Sequence, residues 1–152
     1  ASIIALFENT IEKMVALAVL MPIVASMGGN AGNQTMTVAV RALATKDLDS
    51  HNARRVVSRE VLVGLVNGVA LAVLLGGIAA LWFTSVQLGL VISTALVLNM
   101  LAAGLFGILI PIAIARLKLD PAVASGVFVT TVTDAVGFFA FLGLATWWFS
   151  IT

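Results

Sequence analysis

The chain has 152 residues, of which 61% are hydrophobic and only 10% are charged, and its formal net charge is +1. A soluble globular domain carries about 25% charged residues, so this composition excludes an ordinary water-soluble domain and favours a lipid bilayer as the solvent. The small net charge excludes a strong attraction for nucleic acid, and the absence of cysteine excludes disulfides, thiolate metal sites and cysteine nucleophiles.

The first uncharged stretch runs from Met14 to Val40. It is long enough for one transmembrane helix of roughly 20 residues and an extension. We predict a span over about residues 12–41, kinked at Pro22. Because the chain starts at Ala1 rather than at a methionine, we also expect it to be a fragment of a longer protein.

One face of this first span is polar. At about 100° per residue, five polar side chains share that face. They are Ser26, Asn30, Asn33, Gln34 and Thr37. Hydrogen bonding between helices is the ordinary role of asparagine and glutamine in a membrane. Five polar groups on one stripe exceed what packing requires, and we interpret the stripe as the lining of a water-filled pathway.

A polar segment from Arg41 to Glu60 follows the first span. It contains the single histidine, His51, which we interpret as a solvated loop residue. Asp47 and Asp49, together with Glu60, are interpreted as capping or salt-bridge residues at the membrane boundary.

The next uncharged stretch covers residues 61–115, which suits two helices with a turn near residues 82–87. We predict spans over about residues 56–83 and 88–116. Gly64 and Gly68 form a GxxxG motif, which we interpret as a helix-packing surface. Asn67 and Asn99 each stand alone in a span and are interpreted as helix–helix hydrogen-bonding residues.

The last stretch, from Pro121 to Thr152, carries a single charge, Asp134. Asp120 followed by Pro121 predicts a helix start, because a capping carboxylate precedes a proline at the first helical position. The predicted span covers about residues 121–149. At about 1.5 Å per residue, Asp134 lies roughly 21 Å into the membrane. Four residues are predicted to share its face: Gly126, Thr130, Thr133 and Gly137.

Asp134 is the main candidate for chemistry. A carboxylate inside a bilayer is costly unless a cation or a wet cavity compensates, and the interior stretches of the spans, residues 14–40, 61–115 and 121–152, hold no Lys, Arg or His to pair with it. The alternative is a protonated side chain bonded to a neighbouring helix. Counting along the spans places Asp134 near the level of Met27 to Asn30. The two polar faces are therefore expected to line one path.

The positive charges predict the orientation. Seven of the eight Lys and Arg residues lie in or beside two loops that four spans place on one side. The positive-inside rule makes that side cytoplasmic, so loops 42–59 and 116–120 are expected to face the cytoplasm. The tryptophans Trp82, Trp147 and Trp148 are expected at the opposite boundary.

The predicted donors are oxygen atoms from Asn30, Asn33, Thr130 and Asp134. Such hard ligands suit magnesium or calcium rather than soft metals. Magnesium keeps several of its waters, so a sparse ligand set fits a hydrated ion. One carboxylate cannot neutralise a divalent charge, whereas a twofold dimer with Asp134 near its axis would supply two.

Three runs of residues carry a family resemblance. GGNAGNQT in the first span, RALATKDLD after it and FVTTVTDAVGF around Asp134 resemble the MgtE family of magnesium channels. The resemblance implies an all-α membrane protein in which this chain supplies helices two to five of a five-helix fold, with the pore at a homodimer interface. It also implies that the first transmembrane helix and the cytoplasmic magnesium-sensing domains are absent. Asp134 would be the central ion-binding acid, with the Thr130 backbone carbonyl and Asn33 nearby.

Residues 1–152 are thus predicted to form one ion-conducting domain in the bilayer, expected in a bacterial inner membrane, that passes hydrated Mg²⁺ inward. A single intramembrane acid and the lack of a histidine in the spans argue against a protease, and no enzymatic activity is expected. Two alternatives remain: a proton- or sodium-coupled carrier that uses Asp134 as the coupling site, and a non-conducting membrane scaffold.

Overall fold

The computed structural model describes residues 2–46 and 52–149. This part of the chain is helical and contains no strand. Its helices are α1 (Ser2–Ala5), α2 (Glu8–Lys13), α3 (Val15–Ala44), α4 (Ala53–Trp82), α5 (Val86–Arg116) and α6 (Pro121–Trp148). The last four are long and apolar enough to cross a membrane, which confirms the predicted all-α fold with four such helices.

The first long helix is displaced toward the C-terminus relative to the predicted span 12–41. It begins at Val15 because Met14 takes an extended conformation (φ −138°, ψ 89°) that separates it from α2. It continues past Arg41 to Ala44, since a basic side chain is favourable in the last turn of a helix. Hydropathy marks the part of a helix that lies in hydrocarbon, whereas the helix itself extends into the interface.

Local capping sets two of the other helix starts. The Oδ1 atom of Asp120 accepts a hydrogen bond from the Ala122 N–H at 2.9 Å, with Pro121 in the first turn. The Oγ atom of Ser85 accepts one from the Leu88 N–H at 3.3 Å at the start of α5. The predicted start at residues 120–121 and the predicted turn near residues 82–87 are both confirmed.

The central element is α5, which packs against α3, α4 and α6. Helices α3 and α6 also pack against each other, whereas α4 makes its main contacts with α5. Ile92 and Leu96 of α5 are fully buried in the core with Val24 of α3 and Phe141 of α6. Helices α1 and α2 make smaller contacts with α3 and α6. Elsewhere no described helix covers the outer sides of α3 and α6, where residues such as Asn30 and Val127 are exposed.

The GxxxG motif is confirmed as a packing surface. A Cβ atom at Gly64 would lie 2.6 Å from the Met100 carbonyl oxygen, and one at Gly68 would lie 3.0 Å from the Met100 Cβ. Farther along the same contact, the Ser93 hydroxyl donates to the Ala72 carbonyl at 2.8 Å. Small residues therefore let the α4 and α5 backbones approach closely.

Candidate functional site

Helices α3 and α6 run antiparallel in close contact, and glycines of α3 fix their register. A Cβ atom at Gly32 would lie 2.8 Å from Val129 Cγ1, and one at Gly29 would lie 4.0 Å from Thr133 Oγ1. Later residues of α6 therefore contact earlier residues of α3. This register puts Asp134 about one residue beyond Gly29, within the turn of α3 that counting along the spans predicted.

An open cleft of about 530 Å³ lies along the outer sides of these two helices. It brings together four of the predicted residues, Asp134, Thr130, Gly126 and Asn33. The remaining lining comes from α6: Ala122, Val123, Val127 and Thr131. The cleft therefore combines one carboxylate, one amide and two hydroxyl groups on a surface that is otherwise apolar or glycine.

Among the described residues, Asp134 is the only titratable group that lines this cleft. It lies near the middle of α6 and is partly buried. Within residues 2–46 and 52–149 its carboxylate has neither a hydrogen bond nor an ion pair. The fold thus surrounds a carboxylate with apolar helices and leaves its charge without a protein partner.

The neutral donors are similarly available. Across the described ranges, the side chains of Asn33 and Thr130 make no hydrogen bond, although the Asn33 carbonyl accepts one from the Thr37 hydroxyl at 2.8 Å. The Thr130 carbonyl accepts a hydrogen bond from the Thr133 hydroxyl at 3.1 Å. The Thr130 hydroxyl oxygen is therefore more available to an ion or its waters than the Thr130 carbonyl oxygen. The family resemblance had implied the carbonyl oxygen as the group near the ion.

The polar stripe on α3 lies opposite its buried face. The buried side includes Leu17, Val24 and Gly32. The exposed stripe residues are Ser26, Asn30, Gln34 and Thr37, with Asn33 half-buried beside them. Only Asn33 of this stripe lines the cleft. The pore-lining roles of Ser26, Gln34 and Thr37 and the ligand role of Asn30 stay predictions, on a face that the described part of the chain leaves uncovered.

Two further residues predicted to line the pore are buried in the described part of the chain, and their pore-lining roles stay predictions. Thr133 is buried, and its hydroxyl donates to the Val129 carbonyl at 3.0 Å. Gly137 is also buried, and a Cβ atom there would lie 3.6 Å from the Ala25 Cα. The lining that α6 gives to the cleft runs from Ala122 to Asp134, and it coincides only in part with the face derived from residue spacing.

Asn99 confirms the interpretation as a helix–helix hydrogen-bonding residue. Its side chain is fully buried, and its Nδ2 atom donates to the Val24 carbonyl of α3 at 2.8 Å. It occupies space opened by two glycines, since a Cβ atom at Gly28 or Gly137 would collide with it. Its Oδ1 atom has no partner in the described part of the chain. The other lone asparagine, Asn67, is exposed on α4.

Sequence reasoning missed two hydroxyl residues. Thr131 lines the cleft, and its hydroxyl donates to the Val127 carbonyl at 2.7 Å. Its spacing of three residues before Asp134 was the signal that placed it on the same face. Ser125 is fully buried, with an Oγ atom that no described residue satisfies, and sequence spacing alone gave no sign of that.

The candidate residues of the polar segment are only partly described. His51, Asp47 and Asp49 lie outside the described residues. Glu60 is half-buried in α4 and makes no ion pair with any described residue. No group of three or more His, Cys, Asp or Glu side chains that could hold a metal occurs among residues 2–46 and 52–149. The described chain therefore offers no multi-carboxylate cage for a bare ion.

Comparison with known proteins shows a family to which the chain is similar. The protein-family model described as "MgtE: Divalent cation transporter" matches residues 21–144. The chain is 34% identical over 145 residues to the magnesium transporter MgtE of Bacillus subtilis. It is 40% identical over 145 residues to that of Thermus thermophilus and 37% identical over 146 residues to that of Enterococcus faecalis. These alignments cover 95–96% of this chain but 32% of each relative, so the chain spans about a third of their length.

Proposed function

We propose that this chain, which belongs to the MgtE family of divalent cation transporters, forms the membrane-embedded pathway for Mg²⁺. The chain is an integral membrane protein with four helices suited to spanning the bilayer in its described part. The proposal places the pathway along the cleft between α3 and α6. The relatives bearing the name magnesium transporter support the choice of ion.

The observation that carries the proposal is the uncompensated carboxylate of Asp134. A charge at mid-membrane depth persists only with a partner, a proton or water. No described residue supplies the partner, and the residue lines an open cleft with free amide and hydroxyl oxygens. A divalent cation that passes through the cleft would compensate the charge, and oxygen donors are the ligands that Mg²⁺ prefers.

A second copy of the chain would complete the site. One carboxylate leaves a divalent ion with excess positive charge in a low-dielectric setting, whereas two balance it. The cleft and the polar stripe of α3 both lie on uncovered surfaces, where lipid contact would leave amides and hydroxyls without hydrogen bonds. We therefore place the twofold axis of a homodimer beside Asp134, so that two clefts face each other across one pore.

The ion is proposed to travel with most of its water. The cleft offers Asn33, Thr130 and Asp134 as oxygen donors, which is too few to replace a full inner shell. Mg²⁺ loses water reluctantly and commonly binds through its hydration shell, whereas Ca²⁺ takes six to eight flexible oxygen ligands. A sparse site that binds the hydrated ion should therefore favour Mg²⁺ over Ca²⁺.

We propose that the ion moves inward, toward the end of the helices that carries most of the positive charge. Arg41, Lys46 and the arginines of α4 lie at the same end of the helices as Arg116 and Lys118. The positive-inside rule places that end in the cytoplasm. The part of each relative that this chain does not cover leaves room for cytoplasmic domains, and we propose that such domains regulate the pore.

Flux into proteoliposomes tests the proposal against its alternatives. A channel should carry Mg²⁺ down its gradient without a proton or sodium gradient, whereas a coupled carrier that uses Asp134 should need one. A scaffold should carry no flux. Cobalt hexammine imitates hexahydrated Mg²⁺ but cannot shed its ligands, so it should inhibit uptake. Inhibition should weaken when Asn33 is replaced by alanine. Failure of cobalt hexammine to compete would contradict hydrated-ion binding.

A further inference from the structure

A second groove lies away from the cleft, between the first turns of α4 and the last turns of α5. Its volume is about 660 Å³, within the range of about 300–1,000 Å³ typical of small-molecule sites. Arg54 of α4 and Arg116 of α5 both line it, together with the apolar residues Val57, Leu109 and Ile112. Positive charge and an apolar surface therefore meet in one groove.

The positive charge of this groove is not neutralised within the described part of the chain. Arg54 and Arg116 are exposed, and neither makes an ion pair or hydrogen bond with a described residue. Among the described residues, no acidic side chain lines the groove. The start of α4 adds to the positive potential, because Asn52 makes no side-chain capping bond and the first turn holds no acidic residue. Within the described part of the chain no side chain caps its leading N–H groups, so they can donate to an anion.

The position of the groove selects the kind of anion. Arg54 follows the start of α4 and Arg116 ends α5, so both lie where a spanning helix meets the lipid headgroups. Val57, Leu109 and Ile112 lie farther along the helices, toward the hydrocarbon. Arginine binds phosphate oxygens in a bidentate manner, and basic pockets between helices at the cytoplasmic boundary suit anionic headgroups. Ser58 supplies a hydroxyl to the same lining.

We propose that this groove is a binding site for an anionic phospholipid. The phosphate would lie between Arg54 and Arg116 near the start of α4, and one acyl chain would lie over Val57, Leu109 and Ile112. The ligand would brace the outer side of the α4–α5 pair. This matters most for α4, because α5 is its main packing partner within the described chain. The inference requires that the chain spans a membrane with this end of α4 and α5 at a headgroup layer, and it does not depend on the ion that the cleft carries.

Lipid titration of the purified protein, followed by native mass spectrometry, tests the site. Phosphatidylglycerol should bind more tightly than phosphatidylcholine of the same chain length. Each basic residue at an anionic surface contributes about fivefold to binding, so Arg54→Gln with Arg116→Gln should weaken phosphatidylglycerol binding about 30-fold. The matched control is Arg55→Gln with Arg59→Gln, which removes the same charge from α4 outside the groove and should change binding less than about threefold.

A third variant tests the apolar half of the site without altering charge. Ala113 is exposed and lines the groove, so Ala113→Trp should fill it and weaken phosphatidylglycerol binding while helicity stays unchanged. Equal losses from the two arginine pairs would show non-specific attraction and overturn the site. Competition by inorganic phosphate as effective as that by the lipid would identify a soluble-anion site and also overturn it. Unchanged binding in Ala113→Trp would contradict the acyl-chain contact.

Discussion

The Nδ2 atom of Asn99 lies 2.8 Å from the carbonyl oxygen of Val24, in a hydrogen bond that joins the centre of α5 to α3. The bond lies in the fully buried interior, next to Gly137 of α6. Three helices therefore meet at one amide, and two of them form the cleft that contains Asp134. The relative positions of α3 and α6 depend on a residue that does not itself line the cleft.

Replacing Asn99 with alanine should lower the stability of the protein. The change removes one buried hydrogen bond and leaves a small cavity, which together cost about 1–3 kcal/mol. Chemical denaturation in detergent measures the difference. The control is Asn67→Ala on the exposed surface of α4, which should stay within about 0.5 kcal/mol of wild type. Equal effects of the two substitutions would contradict the structural role of Asn99.

Two adjacent glycines of α4 should respond in opposite ways to alanine. A Cβ atom at Gly76 would collide with the Ser93 hydroxyl and lie 2.9 Å from the Gly89 carbonyl oxygen, whereas nothing lies within 4 Å of one at Gly77. Gly76→Ala should therefore destabilise the protein by about 1–3 kcal/mol. Gly77→Ala should be neutral or stabilising by up to about 1 kcal/mol, because alanine favours helix. The same denaturation assay compares the two, and a reversed order would disprove the α4–α5 packing described above.

Cysteine labelling should show that the two ends of the helices lie on opposite sides of the membrane. The chain has no cysteine of its own, so single cysteines can be placed at Leu119 and Val86, which are 58% and 71% exposed. A membrane-impermeant thiol reagent should modify Leu119→Cys only from the cytoplasmic side and Val86→Cys only from the outside. Modification of both from one side would overturn the proposed topology.

Much of the fold was predictable because the bilayer imposes simple rules. Long uncharged stretches had to be helices, and the charges between them marked their ends. The pairing of Asp120 with Pro121 located the start of α6 to the residue. The boundary of α3 was less accurate, since the extended conformation of Met14 has no clear signal in hydropathy.

The site was predictable only in part because polar spacing does not separate exposed from buried threonine. Thr133 satisfies its hydroxyl on carbonyls of its own helix, which allows it to be buried. The Thr130 hydroxyl lies at the cleft and makes no hydrogen bond with a described residue. The Asn99 side chain leaves no room for a Cβ atom at Gly137, which residue spacing could not show. Helical phase identified the correct helix, but tertiary packing decided which part of its surface remained open.

Magnesium uptake by proteoliposomes that contain Asp134→Asn tests the central claim most directly. Losing the carboxylate should remove the charge-assisted contact that compensates the ion, and uptake should fall at least about tenfold. Asp120→Asn is the matched control, since it makes the same change at the N-cap of the same helix, where asparagine also caps well. The account predicts near-complete loss for Asp134→Asn and near-wild-type uptake for Asp120→Asn. Wild-type uptake by a folded Asp134→Asn protein would contradict it.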